Sequence, residues 1–236
     1  MMRRALLAPV LLAGIFAFTA PAADSKADSA KAKKALMEVG EFIGGWNLTG
    51  ETKTTGKLTS WKEVATWSWK FKGDDSWINI EIKDGRFFTK GELKYLTAKK
   101  LYELTATDKD SKSQVFTGEF KKGKLSLERK DEKTSDIQRL SFVTLSEGIR
   151  MSMQYETQSG GKGLFASVYK STGNKDGESF AGGATTKKPE CIVTGGAATI
   201  AVSYLGKTYY VCCSGCKDEF NDSPKKYVDA FEKKNK

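Results

Sequence analysis

Trp67-Ser68-Trp69-Lys70-Phe71-Lys72-Gly73-Asp74-Asp75-Ser76-Trp77-Ile78-Asn79-Ile80-Glu81-Ile82 is the stretch that decides the fold. Rings at 67, 69 and 71 alternate with Ser68 and Lys70, and after a Gly-Asp turn Ile78, Ile80 and Ile82 alternate with Asn79 and Glu81. A period of two gives a strand one apolar and one polar face, and two such runs around a Gly-Asp pair make a hairpin. Outward from here the pattern repeats at residues 86–95, 101–107, 114–120, 124–129, 137–144, 150–155 and 164–169. Lys83-Asp84-Gly85, Lys121-Lys122-Gly123 and Gln158-Ser159-Gly160-Gly161 supply turns between them. About ten short strands in hairpin order predict an antiparallel, up-and-down meander. Its single apolar face is best buried by curling into a β-barrel, which leaves no unpaired edge.

The ends of the chain differ from this middle. Residues 1–23 carry Arg3 and Arg4, an apolar run through Phe18 and the small residues Ala20-Pro21-Ala22-Ala23, the pattern of a secretory signal peptide. The apolar run is about 14 residues, short of the roughly 20 that a spanning helix needs. An exported protein, periplasmic or extracellular, with no transmembrane segment after cleavage is expected. Losing Arg3 and Arg4 lowers the formal charge from +10 to +8. The remaining lysines are interspersed with acidic residues, as at 70–75 and 121–133, which reads as solvated strand faces and turns and not as a nucleic-acid surface.

Composition divides the rest into a barrel domain over 24–172, a flexible linker over 173–188 and a cysteine-bearing domain over 189–236. Leu36, Val39, Phe42 and Ile43 recur at helical spacing and predict a short N-terminal helix packed on the barrel. Gly173, Gly177, Gly182 and Gly183 among polar residues predict a linker that tethers the two domains without docking them. Trp46, Trp67, Trp69, Trp77, Phe87, Phe116 and Phe142 are candidates for the barrel interior.

Gly44-Gly45-Trp46, ahead of the first strand, resembles the Gly-x-Trp opening of lipocalin-like (calycin) barrels. That resemblance implies a Trp46 packed at the closed end beneath a ligand cavity, with Arg150 as the basic residue covering it. It also brings an alternative function, a carrier of a small apolar ligand.

All four cysteines fall in the last 46 residues. Twenty residues separate Cys191 from Cys212, and three separate Cys212 from Cys216, with Cys213 between. Cys191-Ile192-Val193-Thr194-Gly195-Gly196 reads as a knuckle, 200–204 and 208–212 as a hairpin, and Cys216 and Phe220 as one face of a helix. Asp222-Ser223-Pro224 reads as the start of a last helix carrying Tyr227 and Phe231. A unit of about 45 residues buries too little apolar surface to stand alone and calls for a metal or disulfides.

Cys191-Ile192-Val193-Thr194-Gly195, then Tyr204 to Cys216, Phe220 and Pro224-Lys225-Lys226-Tyr227 together resemble a YHS domain of the TRASH-like metal-binding group. The resemblance implies a small, α+β, treble-clef-like fold whose cysteines bind heavy metals in sensing, trafficking or resistance. Its motif falls on Cys191, Cys212 and Cys216, with Cys213 as an additional cysteine of many members. Ile192 departs from the proline common at its position.

Three chemistries remain open for these thiols. They can ligate a soft metal, form two disulfides, or exchange thiols at Cys213-Ser214-Gly215-Cys216. A metal is the expectation carried forward, with Cys191, Cys212, Cys216 and Cys213 as ligands and Zn(II) or Cu(I) as the ion, because an all-sulfur set disfavours Mg, Ca and Mn. Cys212 and Cys213 are adjacent and would face opposite sides of a continuing strand, so a three-sulfur site needs no bend. The sequence contains no histidine. That excludes Ser-His-Asp and Cys-His catalysis and His-zinc hydrolase sites. Asp74-Asp75 and Asp131-Glu132 lie in turns, and no phosphate-binding loop is present, so a binding protein is expected and not an enzyme.

Overall fold

The computed structural model describes residues 22–177 and 188–235. The leader expected over 1–23 therefore lies outside the described residues except for Ala22 and Ala23, and so do positions 178–187 of the expected linker. Among the described residues no helix is long and apolar enough to cross a membrane.

The described residues open with helix α1 (Ala22–Glu38), longer than its apolar spacing alone marks out. Leu36 and Val39 are wholly buried against the barrel, and a 3-10 turn at Gly40–Phe42 brings Phe42 onto the Trp67 ring at 5.2 Å. Ten strands follow: β1 (Gly44–Thr54), β2 (Lys57–Lys72), β3 (Asp75–Lys83), β4 (Phe88–Leu96), β5 (Leu101–Asp108), β6 (Ser113–Lys121), β7 (Lys124–Lys130), β8 (Ile137–Leu145), β9 (Arg150–Gln158) and β10 (Ala166–Lys175). Each pairs antiparallel with the next, and β10 pairs with β1, so the sheet is a closed barrel without free edges along most of its length. The turns at Gly73, Gly85, Gly123 and Gly160-Gly161 fall where the Gly-containing pairs predict them, and those after Leu96, Asp108 and Lys130 form without glycine. A further turn at Thr55-Gly56, with φ of 47° and 84°, has the positive angles of a two-residue hairpin turn.

The interior is packed with side chains. Trp46, Trp67, Trp69 and Phe116 are at most 1 % exposed and are joined there by Phe142, Ile78 and Ile80. About 20 Å³ remains among Leu48, Ala65, Trp67, Leu104, Phe142 and Met151, room for about one water. A small-molecule site usually occupies roughly 300 Å³ or more.

Several expectations are corrected. Trp77 does not fill the interior: Ile78, Ile80 and Ile82 take the inward positions of β3, so Trp77 faces the other way, with Lys94 Nζ 5.9 Å from its ring centre. Arg150 does not cover Trp46. It is exposed at the start of β9, whereas Lys175, the register partner of Trp46 on β10, puts Nζ 4.9 Å from that ring. Strand β10 continues through Gly173, Asn174 and Lys175, which composition alone places in the linker, because those residues pair with Leu48, Asn47 and Trp46 and close the barrel.

After the barrel come β11 (Ile200–Tyr204) and β12 (Lys207–Val211), a two-stranded antiparallel sheet, then α2 (Ser214–Asp222) and α3 (Pro224–Lys234). This unit is docked on the barrel and not merely tethered to it. Strand β1 pairs with β2 only as far as the Gly44–Trp67 pair, leaving the following residues of β2 without a neighbour on that side. A strand edge offers unpaired backbone groups, and burial requires partners for them. The C-terminal unit covers this overhang, with Trp69 N–H donating to Cys213 Sγ at 3.4 Å and α2 lying against β2. The buried side chains of both units form one continuous apolar cluster.

Candidate metal centre

Three local structures present the sulfurs. Cys191 opens a tight turn in which Gly195 N–H donates to Cys191 O at 2.7 Å and Cys191 N–H donates to Gly196 O at 2.6 Å. Gly195 has φ of 78°, the left-handed value that glycine adopts without strain. Ile192 N–H donates to Tyr210 O at 2.9 Å, which fixes the turn beside the end of β12. Cys212 follows β12 directly, and Cys216 stands in the first turn of α2. Cys216 and Phe220 are both wholly buried on one face of that helix, as their spacing predicts.

Folding brings Cys191, Cys212 and Cys216 together with their sulfur atoms all within 4.8 Å of one another. Cys212 Sγ and Cys216 Sγ are 3.5 Å apart. Metal–sulfur bonds of about 2.3 Å place ligand sulfurs roughly 3.8 to 4.0 Å apart in a tetrahedral or trigonal shell, so the three fit a soft ion with small adjustments. All four cysteines are free thiols in this arrangement.

Cys213 is not in that group. At the N-cap of α2 its backbone is extended, with φ of −158° and ψ of 174°, and its sulfur takes the Trp69 N–H. Its sulfur still contacts those of Cys212 and Cys216, whose hydrogen bonds lower its pKa, while the barrel edge supplies it with a further partner in Trp69.

The surroundings are largely buried, and Lys33 is a cation near the sulfurs. Cys191 and Cys216 are buried and Cys212 is half-buried. Hydrogen bonds from the Cys212 and Cys216 thiols pull the Cys191 pKa down against the opposing effect of burial. The same contacts push Cys212 and Cys216 up, since a thiol donating to a thiolate resists losing its proton. A cation bound here would displace the protons these thiols still hold. Thr194 Oγ1 lies 3.6 Å from Cys212 Sγ.

Lys33 on α1 donates to Val193 O at 3.1 Å, with Nζ 5.4 Å from the Phe71 ring centre. Burial lowers its pKa, and attraction to Cys216 acts in the opposite direction. Tyr227 on α3 donates to Glu219 on α2, tying the two helices behind the cluster. Pro224 occupies the first turn of α3, but Ser223 makes no side-chain capping bond and instead sends its N–H to Phe220 O.

Thr194, Lys33 and Trp69 are the residues around the sulfurs that sequence alone does not mark. Thr194 is inside the quoted knuckle but has no distinguishing spacing. Lys33 lies 158 positions before Cys191 in a segment with no apolar face, so no local signal connects it to the cluster.

Residues 193–230 match the YHS domain family. The match holds Cys212, Cys213 and Cys216 and begins two residues after Cys191. Among curated proteins none matches the chain.

Proposed function

We propose that this chain is an exported binding protein that holds one soft metal ion, Cu(I) or Zn(II), on the thiolates of Cys191, Cys212 and Cys216, in metal trafficking, sensing or resistance. The observation that carries this reading is the convergence of three sulfurs from a turn, a strand end and a helix within 4.8 Å. The YHS match over 193–230, which holds Cys212 and Cys216, supports it. So does the donor chemistry, because an all-sulfur set suits Cu(I) and Zn(II). Cys213 is the additional sulfur of this unit, and turning it toward an ion would cost its bond to Trp69. The leader-like first 23 residues support export, and the lack of histidine supports binding over catalysis.

In this reading the barrel is a scaffold. Its order of helix, Gly-x-Trp and meander supports a lipocalin-like origin, although it has ten strands where lipocalins have eight. The filled interior favours a scaffold over a carrier of apolar ligands.

Metal analysis and thiol counting on protein purified from the compartment it is exported to test the proposal. One equivalent of copper or zinc, with thiols that become alkylable only after chelation, is the expected result. Metal-free protein with two disulfides would overturn it.

A further inference from the structure

Two cavities flank the sulfur cluster, and both reach it through Cys212. One, of about 110 Å³, is lined by Met37, Ile43, Trp69, Thr194, Gly195 and Cys212 among others. The other, of about 310 Å³, lies where Lys175, Lys188 and Ser214 meet Cys212 and Cys213. Cys191 and Cys216 line neither of them and are 1 % and 0 % exposed. An arriving ion therefore meets Cys212 before the other two sulfurs.

The smaller cavity holds a second type of soft donor, a thioether. Met37 lies on α1 between the buried Leu36 and the exposed Glu38, and is 42 % exposed. Its methyl carbon Cε lies 3.4 Å from where a Cβ on Gly195 would stand, so the end of the side chain rests on the turn that carries Cys191. Three rotatable bonds let a methionine sulfur sweep a short arc without disturbing its helix. The sulfur can therefore follow an ion from the cavity mouth towards Cys212.

We propose that Met37 is a thioether ligand at the entrance to the thiolate cluster, receiving Cu(I) and delivering it to Cys212. This rests on the metal-binding reading above and adds to it the identity of the ion and its route. Thioether sulfur is neutral and soft, so it binds Cu(I) well, whereas Zn(II) takes thiolate, imidazole or carboxylate. Three thiolates already leave a Cu(I) centre with two negative charges. A neutral donor at the mouth can join the shell without adding to them. No electron moves in this transfer: copper stays Cu(I), and one Cu–S bond forms as another breaks.

Full-length selenomethionine protein loaded anaerobically with Cu(I) provides the direct test. Selenium-edge X-ray absorption is expected to show a copper neighbour in the parent chain and none in Met37→Leu, which keeps the side-chain volume at an exposed position. Cu(I) uptake from a chelator should slow about tenfold in Met37→Leu, the low end of the losses caused by removing a supporting group from a metal site, while Zn(II) affinity stays the same. Uptake at the parent rate with no copper–selenium signal would overturn the role of Met37 and leave the thiolate site standing. Equal losses for Zn(II) and Cu(I) would reduce Met37 to a packing residue. A parent chain that binds neither ion would overturn the metal-binding reading and this one together.

Discussion

The backbone N–H of Trp69 donates to Cys213 Sγ at 3.4 Å, joining the overhang of a barrel strand to the cysteine unit. This pair is one link between the two halves of the chain, beside the bond from Lys33 to Val193 O. It uses a backbone donor that β1 leaves open and a sulfur that the cluster leaves out. Cys213 is therefore predicted to serve docking while its three companions serve the metal.

Single serine substitutions separate those roles. Cys191→Ser, Cys212→Ser and Cys216→Ser should each lose the bound equivalent in equilibrium dialysis with metal analysis. Cys213→Ser should retain it. Loss of metal in Cys213→Ser to the same degree would make Cys213 a ligand.

Gly215→Ala gives a test in which two effects oppose each other. Alanine is preferred to glycine inside a helix by about 1 kcal/mol, so propensity alone predicts a more stable α2. A Cβ at 215 would stand 1.7 Å from Trp69 O, a backbone atom that cannot rotate away. Crowding should win, with a net loss of about 2 kcal/mol in chemical denaturation, within the usual range for overpacking. A stabilised variant would show that α2 and β2 are not in close contact in solution.

Truncation after Gly177 tests the docking as a whole. The barrel pairing is complete by Lys175, so the shortened chain should keep a β-type circular dichroism spectrum. Its melting temperature should fall, because Trp69 and the overhang of β2 lose their cover. Melting at the temperature of the full chain would mean that docking contributes no stability.

Tyr102 predicts the alkaline limit of stability. Its hydroxyl donates to Ala35 O at 2.7 Å, holding α1 to β5, and burial followed by the Glu38 charge raises its pKa well above the ordinary value of 10. A raised folded pKa means that the contribution is complete below pH 10 and is lost as pH climbs above it. Burial raises Tyr155, Tyr169 and Tyr227 in the same direction. Thermal stability should therefore fall above pH 10. Tyr102→Phe should cost about 1 kcal/mol at neutral pH, the usual worth of one hydrogen bond, and should show a shallower alkaline decline. An unchanged alkaline slope in Tyr102→Phe would remove this residue from the effect.

An apolar fluorescent probe should show no saturable quenching of the barrel tryptophans, since the interior around Trp67 and Phe142 leaves about 20 Å³. Saturable quenching would favour the carrier alternative.

Alternation at Trp67, Trp69 and Phe71 and at Ile78, Ile80 and Ile82 specifies strands by itself, because the two-residue period is a local property of the backbone. Hairpin turns between such runs then leave few arrangements besides an antiparallel meander. The spacing of Cys191, Cys212 and Cys216 around a hairpin likewise carries the three-sulfur cluster, since a hairpin returns the chain to its starting point. The inward set of β3, the lysine over Trp46 and the partner of Cys213 were settled only by the tertiary structure. Each depends on closure of the barrel, which pairs β1 with β10 across more than a hundred residues and fixes how far β1 extends along β2. The overhang left beyond Trp67 then selects the docking place, and docking brings Lys33 and Met37 to the sulfurs. Such proximity between distant parts of the chain has no local period or spacing to announce it.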